Sequence, residues 1–297
     1  MRDRKFELIG VPFDGGATLG WPGARYAPAR IRAALEWMTM RIQNGQVYSL
    51  DTGSLQPVGV DLLTDAGDVA VVPHDLMQTL RACTEAVSTA IRSARVPLVL
   101  GGDDSLLLGA VRGLHDAVGG MVGIIHFDAH LDLMDENERQ GRFSHSSGMR
   151  RALELERVSP GSSIQIGSRN FNFPSSLAYK RGVDLGHISA AECQELGVPA
   201  VVERVLERTA SAEYRFLAFD IDAVDPAFAP GAGAHEPGGL SSRFALDAVR
   251  ALAPYCHGMA VTEVNPLTDV RDMTSTLAAY LIFTFAVFGV EPSPTSG

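Results

Sequence analysis

Cysteine is scarce in this chain of 297 residues. Its three cysteines, Cys83, Cys193 and Cys256, show no CxxC spacing. Thiolate zinc sites and redox dithiols use closely spaced pairs, and disulfide frameworks place many cysteines in a short chain. We therefore expect three free thiols in a reducing compartment.

The chain also lacks a long uninterrupted apolar run. Its most apolar segment, 277–290, is too short and too aromatic to predict a membrane span, and a helix over 273–289 packed on a sheet fits it better. The N-terminal charges lead directly into a strand-like segment, without a signal-peptide pattern. We expect a cytoplasmic protein that has no membrane partner.

Basic residues are outnumbered, with 25 Lys and Arg against 35 Asp and Glu and a net charge of −10. Nucleic-acid binding requires a basic face, so a nucleic-acid partner is not expected. The acidic balance instead favours the approach of a small cationic substrate.

No linker rich in Gly, Ser or Pro divides the chain, and no internal repeat is found. We expect a single domain over 1–297, with residues 292–297 as a disordered tail. Short strand patterns alternate with longer helical ones, which predicts an α/β fold with a parallel sheet. The predicted strands are 6–11, 47–50, 68–72, 97–101, 122–128, 162–167, 215–221 and 258–264. The predicted helices are 28–38, 74–94, 104–117, 147–156, 176–181, 190–196, 198–210, 242–253 and 273–289.

Four apolar strand patterns run directly into acidic residues, in segments 97–105, 122–132, 215–226 and 257–266. In a parallel sheet the carboxyl ends of the strands lie side by side, where ligands bind. Many carboxylates in one pocket would be costly without cations. The pattern therefore predicts a metal-dependent enzyme.

Two of these segments place ligand types at alternate positions. Asp128, His130 and Asp132 would point to one side if their strand continued, and Asp220 and Asp222 repeat the pattern. Carboxylates with an imidazole suit Mn²⁺ better than a thiolate-loving ion, and two ions sharing carboxylates would use them all. His126 also alternates with Asp128, and it either lines the pocket floor or packs in the core.

Six motifs together resemble the ureohydrolase family, which includes arginases, agmatinases and formimidoylglutamases. They are GVPFDGGATLGWPGARYAPARIR, GGDDS, FDAHLD, FDIDAVDPAFAPG, EPGGL and TEVNP, and they span nearly the whole chain. The resemblance implies a three-layer α/β/α sandwich around a mainly parallel eight-stranded sheet. It also implies a binuclear Mn²⁺ centre and a homo-oligomer, either a trimer or a hexamer.

The implied activity is hydrolysis of the linear C–N bond of a small guanidino compound, giving urea and an amine through a metal-bridging hydroxide. By resemblance, Asp128 and Asp220 would bridge the ions and Asp132 would hold the hydroxide, while Glu263 would pair with the guanidinium. The metal ligands implied by the motifs are Asp104, Asp128, His130, Asp132, Asp220 and Asp222. The implied catalytic residues are Asp132, Glu263 and His145.

The sequence departs from the family at the first metal site and at the proton shuttle. Asp104 replaces the usual histidine of GGDHS, which could favour another divalent ion such as Ni²⁺ or Co²⁺. Ser147 occupies the place of the usual shuttle histidine, and His145 lies two residues earlier. His145 either reaches the pocket to bind substrate or stays at the surface.

The remaining departures concern the substrate. Leu133 and Met134 replace the Ile-Asn of arginases, so free L-arginine is not the leading substrate by resemblance. The segment WPGARYAPARIR looks like that of agmatinases and guanidinobutyrases. His235 either contacts substrate or sits on an exposed loop. Ser146 and Ser147 keep a formimidoylglutamase-like amidine hydrolase as an alternative. Asp104 and the missing shuttle histidine leave a catalytically weak partner subunit as another.

Overall fold

The computed structural model describes residues 4–59 and 61–289, and ten strands lie within them. These strands are β1 (Lys5–Gly10), β2 (Gln46–Ser49), β3 (Ser54–Pro57), β4 (Leu63–Asp68), β5 (Arg95–Leu100), β6 (Val122–Phe127), β7 (Ile164–Ile166), β8 (Gly186–Ile188), β9 (Tyr214–Asp220) and β10 (Met259–Thr262). Eight of them form one sheet in the order β4-β1-β5-β10-β9-β6-β7-β8. Every neighbouring pair in that sheet is parallel.

Helices cover both faces of the sheet. They are α1 (Ala27–Thr39), α2 (Leu76–Arg92), α3 (Leu107–Ala117), α4 (Gly148–Leu153), α5 (Pro174–Gly182), α6 (Ala190–Arg208), α7 (Ser242–Leu252) and α8 (Met273–Phe288). Side chains alternate between two buried apolar clusters along each central strand. On β9, for example, Leu217 and Phe219 pack with α1, α6, α7 and α8, whereas Phe216 and Ala218 pack with α2 and α3. The predicted three-layer α/β/α sandwich around a parallel eight-stranded sheet is confirmed.

Some element predictions differ from the structure. The strand predicted at 68–72 lies instead at Leu63–Asp68, as β4. This edge strand is polar, and the prediction followed the apolar residues that come directly after it. The strand predicted at 47–50 belongs to a separate antiparallel hairpin with β3, and β8 was missed because it is three residues long. Helices 190–196 and 198–210 form one element with a kink at Gly197, where φ is +72°. The predicted tail at 292–297 lies outside the described residues.

The strand order places the predicted site. The four strands that lead into acidic residues, β5, β10, β9 and β6, are consecutive neighbours at the centre of the sheet. Their carboxyl ends therefore open onto one region. Within residues 4–59 and 61–289, no helix is long and apolar enough to cross a membrane.

Candidate metal centre

The acidic residues converge through turns rather than through extended strands. β6 ends at Phe127, and Asp132 has a left-handed backbone with φ +48°, so the strand does not continue through Asp132. Instead, Oδ1 of Asp128 accepts a 2.6 Å hydrogen bond from the main-chain N–H of His130, which closes a tight turn. Asp220 at the end of β9 likewise accepts from the N–H of Asp222 at 2.8 Å. Each turn brings its residues to the same cleft.

Asp104, His126 and Asp128 form the first candidate ion site. Their ligand atoms lie within 4.8 Å of one another, and all three residues are buried. Nε2 of His126 is 3.7 Å from Oδ2 of Asp104 and 3.3 Å from Oδ2 of Asp128. None of these three atoms makes a hydrogen bond within the described part of the chain. Buried polar atoms rarely stay unpartnered, so these carboxylate oxygens fit a cation.

Asp128, His130 and Asp222 form the second candidate ion site. Nδ1 of His130 lies 3.4 Å from Oδ1 of Asp128 and 3.2 Å from Oδ2 of Asp222. The ligand atoms of this group also lie within 4.8 Å of one another. Because Asp128 belongs to both groups through different oxygens, the two sites are adjacent and share one carboxylate.

Asp132 and Asp220 stand beside these two groups and line the same cleft. Burial raises the pKa of each carboxyl well above its ordinary value, and nearby carboxylates raise it further. Burial also raises the pKa values of Asp104 and Asp128. The cluster is therefore short of positive charge, which a divalent cation would supply.

Asp222 and His130 behave as an ion pair within this acidic cluster. Burial opposes the charge on Asp222, but the positive His130 imidazole and hydrogen bonds to its carboxylate lower its pKa below the ordinary value. Burial likewise opposes the charge on His130, yet Asp222 and Asp128 raise its pKa to about 12. Without a cation, His130 holds a proton in the place where a bound ion would take its lone pair.

The tautomer of His126 is fixed by Gln165. The Leu131 carbonyl oxygen can only accept, and it lies 2.5 Å from Gln165 Nε2, which identifies that atom as the amide nitrogen. The same nitrogen lies 3.3 Å from Nδ1 of His126, which therefore accepts. Burial lowers the pKa of His126, so the ring is neutral and carries its proton on Nε2, facing Asp104 and Asp128.

Glu263 and His145 also line the cleft, and Glu263 contacts the first ion group through Asp104. Oε1 of Glu263 accepts from the N–H of Asp104 at 2.9 Å and lies 3.2 Å from Nδ1 of His145. The N–H of Leu19 points at Nε2 of His145 across 3.3 Å, so Nδ1 carries the proton and donates to Glu263. The structure therefore places His145 in the cleft and not at the outer surface.

Three other residues are placed less simply. His235 is exposed, contacts the Pro230 carbonyl oxygen at 2.7 Å, and is not among the described residues that line the cleft. Asp103 is buried, but its carboxylate accepts from the N–H groups of Gly16 and Ser105 and so holds the loop. His126 enters the first ion group although the sequence motifs did not assign it. Its alternation with Asp128 was the available signal, and a core histidine would show the same pattern.

The cleft has a volume of about 140 Å³ and narrows onto the acidic cluster. Its other walls come from the loops after β6 and β7 and from residues 19–20 and 233–234. The arrangement can hold two adjacent divalent cations beneath a small ligand. Oε2 of Glu263 has no hydrogen-bond partner in the described part of the chain and can bind a cationic group on that ligand.

Known proteins with similar sequences share this architecture. Residues 4–287 match the model of the arginase family. Proclavaminate amidinohydrolase from Streptomyces clavuligerus is 34% identical over 94% of this chain and 87% of its own length. Its structure superposes with a TM-score of 0.82, covering 96% of this chain and 93% of that one. Guanidinopropionase from Pseudomonas aeruginosa is 34% identical over 93% of this chain and 84% of its own length.

A third relative is named for a different activity. The structure of formimidoylglutamase from Bacillus subtilis superposes with a TM-score of 0.85 at 29% identity, covering 98% of this chain and 89% of that one. Fold, motifs and sequence identity agree over nearly the whole length of the relatives. The chain therefore belongs to the arginase family of hydrolases.

Proposed function

We propose that this chain hydrolyses the guanidino group of a small guanidino compound to urea and an amine. One observation carries the proposal: two candidate ion sites share Asp128, and Asp104 of the first site donates its N–H to Glu263, whose Oε2 has no hydrogen-bond partner among residues 4–59 and 61–289 and can pair with a guanidinium. A guanidinium is resonance-stabilised and a poor electrophile. It therefore requires both an activated nucleophile and electrostatic stabilisation of the tetrahedral stage.

The residues present fit two divalent ions, and Mn²⁺ suits their oxygen-rich donors with imidazole. Asp104 and Asp128 would hold one ion, while Asp128, His130 and Asp222 would hold the other, with Asp132 and Asp220 completing the shell. When bound, such ions act as Lewis acids that activate water. Ni²⁺ or Co²⁺ is the alternative choice of ion.

The chain's own groups then orient the substrate and move protons. Oε2 of Glu263 accepts from the guanidinium N–H groups and so orients the guanidino carbon beside the ion groups, while Nδ1–H of His145 donates to Oε1 and orients the Glu263 carboxylate. Asp132 accepts the proton that the attacking water loses. The water oxygen bonds to the guanidino carbon, Asp132 passes the proton to the alkyl nitrogen, and the bond between that nitrogen and the carbon breaks to give urea and the amine.

The catalytically weak partner subunit, an alternative function, does not explain the two candidate ion sites. A weak partner subunit would have no use for two adjacent groups of potential ligands, one of which contains the buried carboxylate of Asp104 itself. By family resemblance we also propose a single-domain cytoplasmic enzyme that assembles as a trimer or hexamer.

The test is product analysis by mass spectrometry on Mn²⁺-loaded protein given agmatine, 4-guanidinobutyrate, alkylguanidines, arginine and formiminoglutamate. Urea from a guanidine supports the proposal. Formamide from formiminoglutamate alone would replace it with the amidine-hydrolase alternative. If the panel also stayed unreacted with Ni²⁺ and Co²⁺, the enzyme proposal would fail.

A further inference from the structure

The mouth of the cleft has a different chemistry from its floor. The floor carries the buried carboxylates of Asp220, Asp222 and Glu263. The mouth is apolar: Phe171 and Phe173 are 99% and 56% exposed and Leu19 is 47% exposed, although all three line the cleft. Large apolar side chains exposed together at a pocket mouth indicate contact with an apolar part of a ligand.

No lysine or arginine lines the cleft within residues 4–59 and 61–289. The uncharged polar side chains that line the cleft are those of Asn172, Ser146 and Ser176. Among the described residues, the far end of a bound substrate therefore meets no lysine or arginine side chain in the cleft. A carboxylate placed there would lose water without gaining an ionic partner.

Three arginines near the cleft loops, Arg142, Arg150 and Arg169, are already engaged. Arg169, which precedes the Phe171 loop, donates to the main-chain oxygens of Asp222 at 2.7 Å, Gly167 at 3.2 Å and Ala223 at 3.3 Å. Arg142 and Arg150, near the other loop, pair with carboxylates of α4 and the loop after β6. Recruiting any of them to a substrate would break these bonds.

We propose that the preferred substrate is a monosubstituted guanidine with an uncharged apolar tail, alkyl or arylalkyl, and not a guanidino acid. This inference rests on the proposed function. Glu263 holds the guanidinium, and the tail lies between Leu19 and the two phenylalanine rings, where burial of apolar surface favours it. Formiminoglutamate, with two carboxylates, is disfavoured by the same walls.

The experiment compares kcat/KM for matched pairs on the metal-loaded enzyme. 4-Methylpentylguanidine replaces the carboxylate of 4-guanidinobutyrate with an isopropyl group of the same shape, and pentylguanidine replaces the ammonium of agmatine with a methyl group. 3-Phenylpropylguanidine adds an aromatic ring. The kcat/KM for 4-methylpentylguanidine should exceed that for 4-guanidinobutyrate by about tenfold or more, which is a typical gain for matched apolar contacts.

Variants at the mouth test whether Phe171 and Phe173 cause the preference for an apolar tail. Phe171→Ser with Phe173→Ser should raise KM for 3-phenylpropylguanidine several-fold and leave kcat nearly unchanged, since the reacting atoms lie below. Phe228→Ser is the matched control, because Phe228 is exposed but does not line this cleft. Phe173→Arg should raise kcat/KM for 4-guanidinobutyrate by supplying the missing cation.

The outcomes separate this inference from the function beneath it. The inference is supported if kcat/KM is higher for guanidines with apolar tails and if this advantage disappears in the Phe171→Ser, Phe173→Ser double variant. Urea from every guanidine with equal kcat/KM, or with 4-guanidinobutyrate fastest, overturns the tail preference alone and leaves the proposed function standing. Absence of urea from every compound overturns the proposed function, and the tail preference with it.

Discussion

The hydroxyl of Thr262 donates a 2.8 Å hydrogen bond to Oδ1 of Asp104. The bond holds the carboxylate so that Oδ2, which has no hydrogen-bond partner among residues 4–59 and 61–289, faces Asp128 and His126. Thr262 thus positions the candidate ligand at which this chain departs from the histidine of the family motif. Partners of this kind commonly contribute 10- to 100-fold to metal affinity.

Thr262→Val should therefore lower the affinity of the first ion site for Mn²⁺ by about tenfold or more, because the Asp104 carboxylate can then rotate. The measurement is titration of the metal-free protein with Mn²⁺, following free Mn²⁺ by electron paramagnetic resonance. Thr262→Ser keeps the hydroxyl and should restore the affinity. Equal affinity in all three proteins would show that Thr262 does not position Asp104.

Asp128→Asn should remove both ions, because Asp128 belongs to both groups. Metal content by mass spectrometry should fall far below that of the parent protein, and turnover should drop by more than about 100-fold. Asp184→Asn, at an exposed aspartate, is the control. A variant that keeps one tightly bound ion would contradict the shared-ligand arrangement.

Gln165→Leu should change which ion the chain prefers. Without the Gln165 amide, Nδ1 of His126 can take the proton and Nε2 can then act as a ligand. A new nitrogen ligand should shift relative affinity from Mn²⁺ towards Ni²⁺ or Co²⁺. Competition titrations with pairs of these ions measure the relative affinities. An unchanged ion preference in Gln165→Leu would refute the assignment of the His126 proton to Nε2.

Glu263→Gln should spare the metal and impair guanidine turnover. The amide oxygen can still accept from the N–H of Asp104, so the ion sites keep their shape. The charged bond to the guanidinium is lost, which corresponds to about 10- to 100-fold in kcat/KM. Metal analysis and steady-state kinetics are measured together, and loss of metal would mean that Glu263 acts on the ions instead.

His257 should make folding stability depend on acidity. Burial, reinforced by the positive charges of Arg4 and Arg215, lowers its pKa to about 4, and its Nδ1 accepts from the N–H of Arg215 at 3.1 Å. The unfolded chain has a histidine pKa of about 6.5, so it binds more protons between these two values. The free energy of unfolding is therefore expected to fall as pH decreases from about 6.5 to about 4.

His257→Asn should flatten this fall by up to about 1 kcal/mol per pH unit, because one partly exposed histidine contributes at most one proton. Urea denaturation across the pH range measures it. His235→Asn, at an exposed histidine, serves as the control and should keep the parent slope. An unaltered slope in His257→Asn would place the acid sensitivity elsewhere.

Local sequence patterns were sufficient for the fold class and for the four acid-bearing strands. β5, β6, β9 and β10 are buried on both faces, so their apolar runs are strong and end abruptly at acids. The same signal failed at β4, where a polar edge strand lacks the apolar pattern, and at β8, which is too short to show one. Edge elements are defined by their neighbours more than by their own composition.

By itself, the sequence determined that Asp128, His130, Asp220 and Asp222 would meet, because parallel strands align their carboxyl ends. Only the tertiary structure decided that His126 joins Asp104, that Gln165 fixes its proton, and that His145 rather than His235 enters the cleft. These relations depend on side chains from different strands and loops meeting at distances of 3–4 Å. Spacing along one strand encodes which way a residue points, but it does not encode which residue of another element it meets.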